Sequence, residues 1–220
     1  MTAAPAGVYR PQQDSQLLID AVTAGGPLRG RRVADLGTGS GVVAIAAAGL
    51  GGTVTAFDVC PNAVRCARAQ VAAADAAVDV RLGSWTRALE FAPFDLVLSN
   101  PPYVPVLTDP DDAEIPASAG PPVSWDGGAD GRRMLDPLCA AAPDLLSDGG
   151  TLFVVQSSLA GAEESLRRLV NAGLRAEIIA TKSIPFGPVL SSQARALESA
   201  GRLALGRRSE RLVVIRADKP

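Results

Sequence analysis

VADLGTGSGVVAIA, residues 33–46, decides how the rest of the chain reads. A short apolar run, Val33 to Leu36, carries one acid, Asp35, near its end. Glycines follow at alternate positions, Gly37, Gly39 and Gly41, and then a second apolar stretch, Val42 to Leu50. The first run is too short for a helix and suits a buried strand, and the second is long enough for a helix. Glycines between them allow a sharp turn and a close approach of the backbone to a ligand. The helix that starts beyond them offers unsatisfied N–H groups.

The same alternation continues outward. Thr53–Asp58 is a second expected strand, Pro61–Ala74 a helix with proline in its first turn, and Val78–Leu82 and Phe94–Ser99 a third and fourth strand. A helix is expected over 132–146, a fifth strand over Gly150–Gln156 and a helix over Glu163–Ala172. Ala176–Ile184 and Leu212–Arg216 complete the set as a terminal antiparallel pair, with a short helix at Gln193–Ala200 between them. Upstream, Asp14–Ala24 reads as a helix with Asp14 or Ser15 near its N-cap. Strands alternating with helices imply an α/β, Rossmann-like fold with a mostly parallel seven-stranded sheet. One domain over 1–220 is expected, with 1–30 as an N-terminal segment and helix. Residues 108–131, rich in Pro, Gly and Asp, form a long loop of the kind that binds substrates.

Composition narrows the chemistry. With 47% hydrophobic residues, the 220-residue chain can build a substantial core. Its 21 basic and 23 acidic residues and pI near 5.2 leave no electrostatic footprint for bulk nucleic acid. Histidine is absent, which excludes His-based triads and His metal ligands. Cys60, Cys66 and Cys139 have no zinc spacing and read as small buried residues, so no metal site is expected. The start lacks a signal peptide pattern and no run is long enough to cross a bilayer, so the expected location is cytoplasmic.

A nicotinamide or flavin fingerprint, G-x-G-x-x-G, needs glycine at position 42, where this chain has Val42. The G-x-G-x-G spacing, with an acid two residues before it, is similar to that of S-adenosylmethionine (SAM) methyltransferases. There Asp35 would face the cationic amino-acid end of the cofactor. Asp58, closing the next strand, could accept from both ribose hydroxyls. LSNPPYVPV, residues 98–106, then follows the fourth strand, beside the expected methyl group. A planar amide or aromatic amine has a delocalised, poorly nucleophilic nitrogen. The side-chain oxygen of Asn100 and the carbonyl of Pro101 can hold its two N–H groups and aim the lone pair. Pro102 stiffens the turn, and an exposed-looking Tyr103 can lie against the planar group. No histidine base is needed, because the nitrogen becomes acidic as it is methylated.

In these residues the chain resembles class I SAM-dependent methyltransferases of the HemK type, which methylate a glutamine amide in peptide release factors. The resemblance runs over VYRPQQDSQLLIDA (8–21), DLGTGSGVVAIA (35–46), FDVCPNAV (57–64), NPPYVP (100–105) and WDGGADGRRMLD (125–136). It implies that Ser15, Asp35, Gly37, Asp58 and Asn100 contact SAM or line its pocket, together with Thr38, Gly39 and Gly41 of the turn and Val59 beside Asp58. Ser84 and Trp85 fall where relatives flank the adenine, although many relatives carry Asp in place of Ser84. Asn100, Pro101, Pro102 and Tyr103 would form the catalytic clamp. About thirty residues precede Val33, which resembles the short archaeal and eukaryotic form, often activated by a small zinc-binding subunit. The glycine-rich segment from Trp125 to Arg132 is either a plain connection or a loop over the glutamine-bearing peptide. Arg29, Arg31 and Arg32 read as a solvated surface cluster. An adenine-N6 nucleic-acid methyltransferase shares the clamp and is the alternative, which the acidic pI weighs against.

Overall fold

The apolar runs become seven strands of one sheet: β1 (Arg32–Leu36), β2 (Thr53–Asp58), β3 (Val78–Leu82), β4 (Phe94–Ser99), β5 (Leu146–Ser157), β6 (Arg175–Pro185) and β7 (Ser209–Asp218). The helices are α1 (Gln13–Ala24), α2 (Val42–Gly49), α3 (Pro61–Ala73), α4 (Leu135–Leu145), α5 (Ala162–Asn171) and α6 (Pro188–Ser199). The structure is a computed structural model and describes residues 11–107, 115–116 and 119–220. The start of the Tyr-x-Pro-x-x-Asp-Ser motif, including Tyr9, and part of the 108–131 loop lie outside those residues.

The strand order is β3-β2-β1-β4-β5-β7-β6. β1 to β5 pair in parallel, while β7 runs antiparallel to both β5 and β6. The expected antiparallel pair is therefore present, and β7 is its reversed member. Side chains alternate between two cores. Leu96, Leu98, Phe153 and Val155 face the layer of α1, α2 and α3, whereas Val97, Leu152 and Val154 face the layer that holds Leu138, Leu145 and Leu169 of α4 and α5. This period-two switch along β4 and β5 is what a sheet buried on both faces requires.

Register sets the site. Leu36 on β1 lies level with Phe57 on β2 and Ser99 on β4. The residues that follow each of them, Gly37, Asp58 (the last residue of β2) and Asn100, therefore stand in one row at the sheet's carboxyl edge. Chain order runs outward from β1 to β3 and then returns to β4, so the row lies at the switch point where open α/β sheets bind ligands.

Four local expectations change. β5 begins at Leu146, because Leu146 pairs with Phe94 ahead of an irregularity that the turn-like Ser147–Gly150 stretch accommodates. α6 spans twelve residues rather than the eight of Gln193–Ala200; Pro188 starts it, and its Leu190, Ala194 and Leu197 pack on Leu203. A 3-10 helix, Trp85–Glu90, follows β3. Arg32 is exposed as expected but not free: its guanidinium donates to the carbonyls of Pro93 and Phe91, and its N–H bonds Asp95.

Candidate active site

Gly37 and Gly39 have φ of +74° and +56°, and a Cβ built on either would meet no atom within 4 Å. The turn thus follows a backbone path costly to other residues and leaves open space above itself. Gly37 and Thr38 donate their N–H groups to the carbonyl of Phe57 at 2.9 and 3.0 Å, tying the turn to β2. Gly41 behaves differently. It is buried at the start of α2, where a Cβ would come within 3.2 Å of Ala67, so it serves helix packing and does not line the cavity expected of a cofactor contact.

Two carboxylates flank the turn. Asp35 is 1% exposed and accepts from the Thr38 hydroxyl at 2.6 Å. Burial pushes its pKa up to about 7, against the pull of the Thr38 hydroxyl and the Ala44 N–H; the nearby Asp58 adds to the rise. Asp58 accepts from Gly39 N–H on one oxygen and Cys60 N–H on the other, each at 2.8 Å. Its pKa is also raised, chiefly by burial. Its carboxylate lines the cavity, where it can accept from a ligand hydroxyl.

The clamp residues are oriented from α1. Asp14 and Ser15, expected as a cap, sit in the first turn of α1 after Gln12, and both are buried. They point to the loop after β4. The Ser15 hydroxyl donates to Asp14 Oδ1 at 3.3 Å, the Tyr103 hydroxyl donates to Asp14 Oδ2 at 3.2 Å, and Asn100 Nδ2 donates to Ser15 Oγ at 3.2 Å. A carboxylate only accepts, so the single Ser15 proton is used there and Ser15 must accept from Asn100. This fixes the Asn100 amide with its nitrogen toward α1 and its Oδ1 away from it. Tyr103, expected to be exposed, is 8% exposed, because Asp14 draws its hydroxyl inward. Asp14 is the site residue that the sequence reading missed. Its signal was its place inside the Tyr-x-Pro-x-x-Asp-Ser motif.

The glycine-rich segment braces this loop from the other side. Val104 and Gly127 exchange main-chain hydrogen bonds with their opposite strand, Val104 N–H to Trp125 O and Gly127 N–H to Val104 O, both at 2.9 Å. A Cβ on Gly131 would lie 2.4 Å from the Tyr103 carbonyl oxygen. Arg132, 7% exposed, then anchors the segment to the carbonyls of Ala160 and Gly161 and to Asp136. Residues 125–132 thus form a packed brace for the loop that carries Asn100, and Trp125 also lines the cavity.

A cavity of about 550 Å³ joins these parts. Ser15, Asp35, Gly37, Thr38, Gly39, Asp58, Val59, Ser84 and Trp85 line it, as do all four clamp residues from Asn100 to Tyr103. Val59 is 48% exposed, a flat apolar surface beside Asp58. The Ser84 hydroxyl pairs with that of Thr86. Phe186, Val189 and Leu190 form a further wall, and Trp125 another.

A family model described as "Methyltransferase small domain" matches residues 6–112. A protein of Methanocaldococcus jannaschii assigned as an N5-glutamine methyltransferase is 31% identical over 81% of this chain and 87% of its own length. The chain belongs to the HemK-type methyltransferases. Human methyltransferase HEMK2 is 33% identical over 76% of the chain and 80% of its own length. Bacterial release factor glutamine methyltransferases also match, over 45% and 52% of their length in two cases. The HemK-type chain shares its fold with the E. cuniculi Mtq2–Trm112 complex, described as methylating the eRF1 termination factor, with a TM-score of 0.65, 23% identity and coverage of 97% and 99% of the two chains. The cofactor is SAM, and the open glycine turn between two carboxylates suits a ligand with a cationic amino-acid end and a ribose.

Proposed function

We propose that this protein methylates the side-chain amide nitrogen of a glutamine in a protein, with a glycine-flanked glutamine of a peptide release factor as the first substrate. The observation that carries the reading is the fixed orientation of Asn100. Ser15 holds its nitrogen, so Oδ1 is left as an acceptor, and Asn100 and Pro101 both line the cavity. Two acceptors side by side hold the two N–H groups of a primary amide and favour the positive charge that develops on its nitrogen. Asp35 would take the ammonium of the cofactor, and Asp58 its ribose. SAM supplies an electrophilic methyl group on a sulfonium. The names of the relatives point to the same substrate class. The reading includes a small zinc-binding activator subunit, in keeping with the Trm112 partner in the E. cuniculi complex. Among the described residues, no helix is long and apolar enough to cross a membrane.

Radiolabelled SAM tests the substrate. Label should enter glutamine of a purified release factor, with the activator subunit supplied, and leave DNA and RNA unlabelled. N6-methyladenine in nucleic acid, with protein unlabelled, would sink this choice and promote the alternative.

Asp58→Ala tests the cofactor assignment. It should weaken SAM binding by about 1.5–3 kcal/mol, the range for hydrogen bonds to a charged group. The loss includes some loosening of Gly39, whose N–H the carboxylate also holds. Calorimetry that finds unchanged affinity in the folded variant removes Asp58 from the site.

A further inference from the structure

Glu210 is a fourth carboxyl group on the wall of the same cavity, after Asp14, Asp35 and Asp58, and the proposed methyl transfer leaves it unused. It belongs to β7, opposite Ile184 of β6. Ser157, the last residue of β5, pairs with Leu212, and β7 is antiparallel, so Glu210 lies just past the carboxyl end of β5. Across the sheet the order is therefore Asp58 at the end of β2, Asp35 on β1, Asn100 after β4, and Glu210 beyond β5. Asn100 stands between the cofactor carboxylates and Glu210. That puts Glu210 on the side from which the methyl acceptor must enter.

Its hydrogen bonds are incomplete. The residue is 5% exposed. The nearby Ser157 hydroxyl favours its charged form. Its Oε2 is buried and has no hydrogen-bond partner among the described residues. The charges that face it are Asp14 from α1, which repels it, and Arg207 from the turn before β7, which attracts it. Arg207 makes no ion pair with it; its Nε donates to the Ser209 carbonyl instead. Ile184, Pro185 and Phe186, which line the cavity too, carry no side-chain donor. Burial holds the carboxyl above the ordinary carboxylate range. A buried acceptor left unpaired is costly, and folded proteins retain such groups chiefly where a ligand completes them.

We propose that Glu210 is a substrate-recognition residue, whose Oε2 accepts an N–H of the polypeptide segment that presents the target glutamine to Asn100. The assignment rests on the functional reading above. It gives the acceptor pocket polarity on both sides: Asn100 and Pro101 hold the reacting amide, and Glu210 holds the chain that carries it.

The test compares Glu210→Leu and Glu210→Gln with the wild type, using full-length release factor, SAM and the activator subunit. Glu210→Leu removes the acceptor and should raise KM for the release factor, lowering kcat/KM by roughly tenfold or more, as expected for a lost hydrogen bond to a charged group. SAM affinity should stay within about twofold, and the melting temperature should hold or rise, because a buried unpaired carboxyl has been removed. Glu210→Gln keeps one acceptor and should recover part of kcat/KM. Unchanged kcat/KM in Glu210→Leu would overturn the assignment, as would a fall in melting temperature matched by an equal loss of SAM affinity, which marks a structural role. A wild type that binds SAM yet labels nucleic acid in place of protein overturns the functional reading and takes this assignment with it.

Discussion

Asn100→Ala should lower kcat by roughly a hundredfold or more while SAM affinity changes by only a few-fold. The variant removes the acceptor aimed at the target nitrogen and nothing that faces the sulfonium directly. A hundredfold corresponds to about 2.7 kcal/mol of transition-state stabilisation, the lower end for one preorganised partner of a developing charge. Folding should be little affected. Asn100 is half-buried, and among the described residues its one side-chain bond is the 3.2 Å contact with Ser15. Ser15→Ala makes the useful contrast, since it keeps the acceptor and removes its anchor, so kcat should fall by less. Single-turnover rates and calorimetry on the two variants separate chemistry from binding. An Asn100→Ala enzyme with near-wild-type turnover would reduce the Asn-Pro-Pro-Tyr sequence to a rigid turn.

Stability of the cofactor-free protein should fall as pH rises from about 4 to about 7. Asp35 titrates near 7 when folded and near 3.8 when unfolded. Between those values the folded chain holds a proton that the unfolded chain has released. Stability from this group is therefore fully present below the unfolded value, declines across the window and is level above it. The full span would be worth about 4 kcal/mol at ~1.4 kcal/mol per pH unit. Asp58 and Glu210 are shifted in the same direction, so Asp35→Asn is needed to isolate the Asp35 share. That variant should flatten the profile and melt higher than wild type at pH 8. SAM reverses the preference, because an ammonium beside Asp35 favours the carboxylate. Its affinity should climb toward pH 7 and release a proton on binding at pH 6, read by calorimetry in buffers of different ionisation enthalpy. Affinity that is flat from pH 5.5 to 7.5 would remove the ammonium from Asp35.

The parts of the site that come from local pattern were legible. A strand, three glycines and a helix leave few conformations open, so Asp35, Gly37 and Gly39 could be placed without tertiary information. Asp58 and Asn100 followed because strand ends in a parallel sheet share one edge. What escaped was set by contacts distant in sequence. Asp14 looked like a cap because the first turn of a helix and an N-cap favour the same residue types. Its true partner, Tyr103, is 89 residues away. Gly41 shared the spacing of its neighbours but answers to Ala67 on another helix. Glu210 sits between Ser209 and Arg211 in the polar start of β7 and carries no local mark at all. α6 was obscured by Pro188 and by Ser191 and Ser192, although Leu190, Ala194 and Leu197 already had helical spacing.

The position of β7 has a consequence for how the protein is made. It is the seventh strand in sequence but lies inside the sheet, between β5 and β6. During synthesis the first five strands can pair as they leave the ribosome, in the order the chain supplies them. β6 cannot join them, since its neighbour in the sheet is β7 and its eleven residues must wait through α6 for that strand to appear. Until then β5 also presents an unpaired edge of apolar residues, the kind of surface that invites mispairing with other nascent chains. Closure of the sheet and delivery of Glu210 to the cavity are the same late event. A ribosome-bound chain halted before Ser209 should therefore be able to build the glycine turn, yet remain without the far wall where the methyl acceptor enters.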